Sequence, residues 1–266
     1  MDAKSEERKI SHNDSIISQF TKQAVPFAHM SQHSNQYGLS LMLKLSDPKH
    51  DDTVLDVACG PGIVACEFAN VVRHVVGIDL TPAMIEQAKR LQKEKDLCNI
   101  DWRIGDVSNL PFEDNSFSLI VTRYSLHHMI NPNRVIEEMS RVCKPGGRIL
   151  IVDVTPPADK KKAYNYVEKL RDPSHTGAMT LIELKDMVEA LGLYNIKTES
   201  QDLEMNLESL LSSSFPNPEN KDKIIPLFKK DISEDNLGMK SYLKDNKIQF
   251  FFPVSLIIAS KPKQKI

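Results

Sequence analysis

Three aspartates stand where short apolar runs end. The run Val54-Leu55-Asp56-Val57 leads into Ala58-Cys59-Gly60-Pro61-Gly62, Asp79 closes Val75 to Ile78, and Asp106 follows Ile100 to Ile104. Glycines lack the Cβ that would keep a ligand off the backbone, and a helix beginning at Ile63 would aim its free N–H groups at the same place. Asp79 is placed to accept both hydroxyls of a ribose, and Asp106 stands at the height of a base. Together these residues describe a pocket for a nucleoside. Gly60 to Ala65 also satisfies the G-x-G-x-x-G/A dinucleotide fingerprint, with an acid about 20 residues on, so the glycines alone leave two cofactor classes open. Pro61 removes an N–H that a pyrophosphate would want, and Asp56 brings a negative charge better suited to an ammonium or a sulfonium.

At this point the sequence resembles the class I S-adenosylmethionine (SAM) dependent methyltransferases, in the branch that holds the ubiquinone and menaquinone C-methyltransferases. The matching blocks are Val54 to Gly62, Val75 to Lys89, Gly105 to Val121, Arg123 to Met129 and Glu137 to Asp153. A nearer likeness, to bacterial methyltransferases of this branch, lies in Gln19-Phe20 with Gln23-Ala24 and in Arg171-Asp172-Pro173-Ser174-His175. The resemblance implies SAM as cofactor and S-adenosylhomocysteine as product. It implies that Gly60 and Gly62 lie against the methionine part, that Asp56 holds its ammonium and Asp79 the ribose. Asp106 and Val107 would read the adenine edge, Leu80 and Met84 would flank the base, and Arg123 would pass the sulfonium side. The branch usually carries glycine where Ala58 stands.

Methyl transfer spreads charge rather than creating it, so enclosure and alignment supply most of the acceleration. A base is required only where the acceptor must lose a proton near neutral pH, and histidine has the right pKa for it. His127, His128, His175 and His33 compete for that role, with His128 and His175 the preferred pair. The same residues also read as packing beside the cofactor and as a helix stop followed by a cap. Phe27 and Tyr37 are candidates to shield the sulfonium, or are simply core.

The elements that must position these groups follow from periodicity. Helical spacing over Ile16 to Phe27 and Tyr37 to Leu45 predicts an N-terminal helical cap, residues 1–46. From there a SAM-binding core, residues 47–202, alternates strands ending at Val57, Ile78, Ile104, Thr122 and Val154 with helices at Ile63 to Asn70, Thr81 to Leu97, Asp159 to Leu170 and Thr180 to Leu191; Leu193 to Thr198 reads as a sixth strand. Such units require parallel pairing and helices on both faces. Residues 203–246, broken by Pro216, Pro218, Pro226 and Gly238, read as a helical lid, and residues 247–266 as a last, antiparallel strand and basic tail. The predicted fold is α/β: a Rossmann-like, seven-stranded, mostly parallel sheet.

The whole chain limits the partners. With 266 residues, 41% of them hydrophobic, and a formal net charge of −2, one enzyme-sized α/β domain is expected and no nucleic-acid footprint is visible. No apolar run is long enough for a membrane span, and the four scattered cysteines suggest neither metal nor disulfide, so a cytoplasmic protein acting on a small-molecule methyl acceptor is expected. The acceptor atom and the oligomeric state are not readable. The rivals are a SAM-fold protein without methyl transfer, such as a cyclase or regulator, an RNA or protein methyltransferase, and a nicotinamide-dependent oxidoreductase.

Overall fold

The protein is described by a computed structural model over residues 11–29 and 36–263; His33 lies outside these residues. Five strands run parallel: β1 (Thr53–Val57), β2 (His74–Asp79), β3 (Ile100–Ile104), β4 (Phe117–Arg123) and β5 (Cys143–Val154). The last long strand, β8 (Lys247–Ser260), inserts antiparallel between β5 and β6 (Tyr194–Asn206), giving the order β3-β2-β1-β4-β5-β8-β6. Order reverses between β1 and β4, which opens a crevice at the carboxyl ends of the strands.

Eight strands, rather than the predicted seven, are present among the described residues. The addition is β7 (Tyr242–Lys244), a short hairpin partner of β8 through Asp245-Asn246, both at positive φ. That pair makes a two-residue hairpin turn of the type Asn and Asp tolerate, a signal hidden inside a segment read as helical. The sixth strand also runs on to Asn206, eight residues past Thr198. Its Glu199-Ser200-Gln201-Asp202 stretch is polar on both faces because β6 is the sheet edge, so no alternation marks it.

Alternation along the strands builds two cores. Val54, Leu119, Val121, Leu150 and Val152 face one side, with α2 (Gln36–Ser46), α3 (Ile63–Ala69), α6 (Lys161–Arg171), α8 (Leu207–Ser214) and α9 (Pro218–Glu234). Leu55, Val57, Ile120, Ile149 and Ile151 face the other, against α5 (Pro132–Val142) and α7 (Leu181–Ala190). Successive side chains point to opposite faces of a strand, so a sheet covered on both sides needs apolar residues at nearly every position, as here. Helix α4 (Pro82–Glu94) follows β2, and α1 (His12–His29) packs on α4 and α8. Pro226 does not break the chain: it lies within α9, flanked by buried Ile224 and Phe228 that hold the helix to the core across the lost hydrogen bond.

Candidate functional site

A cavity of about 210 Å³ opens at the carboxyl ends of β1, β2, β4 and β5. On the same measure a water needs only roughly 10–15 Å³, so the space suits an organic molecule. One half is acidic. Asp56 sits on its wall, 1% exposed, and its Oδ2 has no hydrogen-bond partner. Burial drives this carboxyl up to about 8, against the Ala65 amide and the Arg123 charge. A buried oxygen with nothing to accept from is costly, and a cation delivered by a ligand would relieve it.

The turn after β1 is shaped for close approach. Gly60, at φ +53°, borders the cavity and has open space where a Cβ would stand, while Asp79 Oδ2 accepts from its N–H at 2.9 Å. Asp79 Oδ1 accepts from Thr81 N at 2.8 Å, and burial pushes this carboxyl up as well. Thr81 therefore precedes α4 as expected, yet its hydroxyl caps nothing; its Oγ1 is buried without a partner and Asp79 holds its amide instead. Ala58 adopts φ +56°, a left-handed conformation that explains why glycine suits this position. Gly62 does not border the cavity: it lies behind the turn, where a Cβ would meet Trp102 Cη2 at 2.7 Å and Ala88 Cβ at 2.8 Å.

Leu80, buried Met84 and buried Val107 complete this half, with Asp106 at its exposed rim. Asp106 accepts from Ser108 N, Ser108 Oγ and Asn13 Nδ2 at 2.8, 2.7 and 3.1 Å. Partial burial raises its carboxyl, but these donors outweigh that and leave it below the usual range.

The other half is apolar with a buried polar back wall. Ile16, Phe20 and Phe27 from α1, Leu203 and Met205 from β6, Leu210 from α8 and Phe252 from β8 line it. Tyr37 does not; it is 66% exposed. Phe215, Leu227 and Phe228, the apolar residues of the presumed lid, do not reach the cavity either, and Phe228 is core. Arg123 lines the cavity with its guanidinium 4.7 Å from the Tyr124 ring centre.

His127 and His128 follow β4 on a single 3-10 turn, Leu126–His128, and both border the cavity. His127 Nδ1 bonds Asp153 Oδ1 at 2.5 Å, whereas His128 Nδ1 lies 2.9 Å from Ser174 Oγ. His128 also packs edge-on against Phe20, 4.9 Å between ring centres, and its carbonyl lies 2.7 Å from His12 Nε2. His175 is absent from the cavity wall. It is buried behind His127, ring centres 5.5 Å apart, with Nε2 at 2.8 Å from Asn165 Oδ1 and Nδ1 unpaired. Burial and the neighbouring histidines press its pKa down to about 2.

The segment Arg171 to His175 stops α6, with Asp172 as the C-cap, and also reaches the site. Ser174 Oγ donates to Asp172 Oδ1 at 2.5 Å, Arg171 pairs with Glu168, and Gln23 Nε2 reaches Asp172 Oδ2 at 3.3 Å. Asp153 and Glu168 were not anticipated. Asp153 carried a readable signal: it closes the apolar run Ile149 to Val152 as Asp79 closes its own. Glu168 had none, being a lone acid in a lysine-rich helix where an exposed ion pair would be the ordinary reading. Among the described residues no group of acids, histidines and cysteines could hold a metal, and no helix is long and apolar enough to cross a membrane. Cys59, Cys66, Cys98 and Cys143 are all free.

The family profile described as a methyltransferase domain matches residues 55–151. The chain is 34% identical over 173 residues to YcgJ, an uncharacterised methyltransferase of Bacillus subtilis, a match that spans 64% of this chain and 68% of YcgJ. It superposes on the YcgJ crystal structure with a TM-score of 0.79 at 29% identity, covering 86% of this chain and 99% of that one. A solved structure from Bacillus halodurans follows, with TM-score 0.76 at 30% identity over 85% of this chain and 99% of that one. Identity to the demethylmenaquinone methyltransferase of Paenarthrobacter aurescens is 35% over 117 residues, 44% of either chain.

Proposed function

The chain belongs to the class I SAM-dependent methyltransferases, in the branch that includes the menaquinone enzymes, and on that basis we propose that it transfers a methyl group to a small, partly apolar acceptor. The residues fit the cofactor. Asp56 would take the ammonium that its orphan Oδ2 lacks, Gly60 would let the methionine part approach, and Asp79 would hold the ribose. Leu80, Met84, Asp106 and Val107 would enclose and read the base, and Arg123 would border the sulfonium side, while Gly62 would act through the packing of the turn. Bound there, SAM supplies a methyl carbon made electrophilic by a cationic sulfur.

The observation that carries the acceptor class is the second half of the cavity: Phe20, Phe27, Met205, Leu210 and Phe252 offer an apolar chamber, with polar groups along its back. Such a chamber suits a ring or short apolar metabolite better than a charged polymer. The likeness to demethylmenaquinone methyltransferases points the same way. His128 would contact the acceptor directly, and His175 would support the histidine cluster from behind. A cytoplasmic setting accords with soluble substrates of this kind.

The test is transfer of label from methyl-labelled SAM into fractionated cell extract. Label in a small-molecule fraction is expected. Label in RNA or polypeptide would overturn the acceptor class, and tight S-adenosylhomocysteine binding with no transfer would favour a cyclase or a regulator. Saturable NADH binding without response to S-adenosylhomocysteine would overturn the cofactor assignment.

A further inference from the structure

His127 and His128 both reach the cavity with Nδ1 already engaged, but their partners differ in kind. His127 meets a carboxylate: Nδ1 donates to Asp153 Oδ1 at 2.5 Å, and its own amide approaches Asp153 Oδ2 at 3.3 Å. The side chains are 8% and 2% exposed. Thr176 N and Thr176 Oγ1 both donate to the His127 carbonyl at 2.9 Å, so the ring is fixed at backbone and side chain. His128 meets a hydroxyl. Because Ser174 gives its one proton to Asp172, its oxygen can only accept from His128, which places the His128 proton on Nδ1. Among the described residues neither Nε2 makes a hydrogen bond, and both rings line the cavity.

Resting on the methyl-transfer reading, we propose that His127, held by Asp153, takes the proton that the acceptor loses, while His128 offers a bare Nε2 that orients the same group. Asp153, Ser174 and Asp172 are positioning residues. The acceptor class follows: a group with an acidic proton to lose, of which a phenolic or enolic hydroxyl is the case taken here, and not a thioether or tertiary amine, which has none.

The charges around the two rings separate their tasks. Burial disfavours a charged His127, but the Asp153 charge and hydrogen bond outweigh it and hold the ring above its ordinary pKa, with Glu168 assisting and Arg171 opposing. His128 is pressed down to about 3 by burial and by His127, against Asp172 and Asp153. Paired titratable groups whose surroundings drive them apart mark a division of acid–base labour. In the transfer the acceptor oxygen forms the new bond to the methyl carbon, the carbon–sulfur electron pair stays on sulfur, and the O–H proton passes to His127 Nε2. The imidazolium so formed is balanced by Asp153 and returns its proton to water.

The experiment follows both imidazoles by ¹⁵N NMR titration of the full chain saturated with S-adenosylhomocysteine, in wild type, Asp153→Asn and His127→Gln. His127 is expected to titrate above 6.5 and to fall by more than one pH unit in Asp153→Asn; His128 stays a neutral Nδ1–H tautomer down to pH 5, and His127→Gln assigns the two signals. A His127 that stays neutral at pH 5, ignores Asp153→Asn, or carries its proton on Nε2 overturns the proposal, and wild type alone decides the first and third. Label transfer into extract against pH is measured in parallel, and the acid limb is expected to shift in Asp153→Asn. Absence of transfer by wild type would sink the methyl-transfer reading while leaving the titration result standing.

Discussion

The two halves of the cavity are built on different principles. In the acidic half, Asp56, Gly60 and Asp79 come from consecutive strand ends within 24 residues of sequence, and their partners are backbone amides of the same turns. In the histidine half, contacts span the chain: Asp153 with His127, Ser174 with His128, Gln23 with Asp172, and Gln19 with the Ser214 carbonyl. The first is a local motif that any sheet of this order would place correctly. The second exists only once α1, α6 and α8 have docked, and it leaves the acceptor to be chosen by distant elements.

Substitutions at the two ends sharpen this contrast. Asp79→Ala removes a charged acceptor of two amides and the proposed ribose contact, so S-adenosylhomocysteine binding should weaken by about 1.5–3 kcal/mol in calorimetry. Unchanged affinity would show that the local half does not bind the nucleoside. Asp56→Asn should weaken binding by a similar or smaller amount while raising the Tm of the ligand-free protein, because it removes an uncompensated buried acid. A fall in Tm would contradict the burial argument.

The titration of Asp56 carries its own sign. Its folded pKa, about 8, stands above the unfolded value of about 3.9, so the folded state holds the extra proton between them, and the group's contribution to stability is lost as pH rises through that window. A ligand ammonium needs the carboxylate. Binding near pH 7 should therefore release a proton, seen as a buffer-dependent calorimetric enthalpy, and affinity should fall by up to tenfold per unit as pH drops below 8. Pure pH-independence would remove Asp56 from the ammonium site.

In the distant half, Ser174→Ala should cost about 1 kcal/mol of stability, leave S-adenosylhomocysteine affinity unchanged and release His128 from its Nδ1–H tautomer. A loss of cofactor affinity would mean that the two halves are coupled. The smallest effect belongs to Ala58→Gly, which relieves a left-handed alanine and should gain about 0.5–1 kcal/mol in denaturant unfolding. No gain would mean that the turn is unstrained.

Much of the placement of the acidic half was legible because an acid at the end of an apolar run, followed by a glycine turn, comes to the carboxyl edge of a parallel sheet. Gly62 escaped that logic, since spacing cannot say whether a glycine faces a ligand or a packed tryptophan. His128 and His175 looked equivalent in sequence, and both are buried; position separates them, the first on the cavity wall and the second behind it. The hairpin strand β7 and the long edge of β6 were hidden because edge strands need no apolar alternation.

By itself the sequence determined the sheet, its parallel core, and the acids at its carboxyl edge, since strand periodicity and turn chemistry act over a few residues. Only the tertiary structure decided which histidine meets a carboxylate and which meets a hydroxyl. Those partnerships depend on where separately folded helices come to rest, and hydrogen bonds between residues 26 and 46 positions apart leave no local trace in the chain.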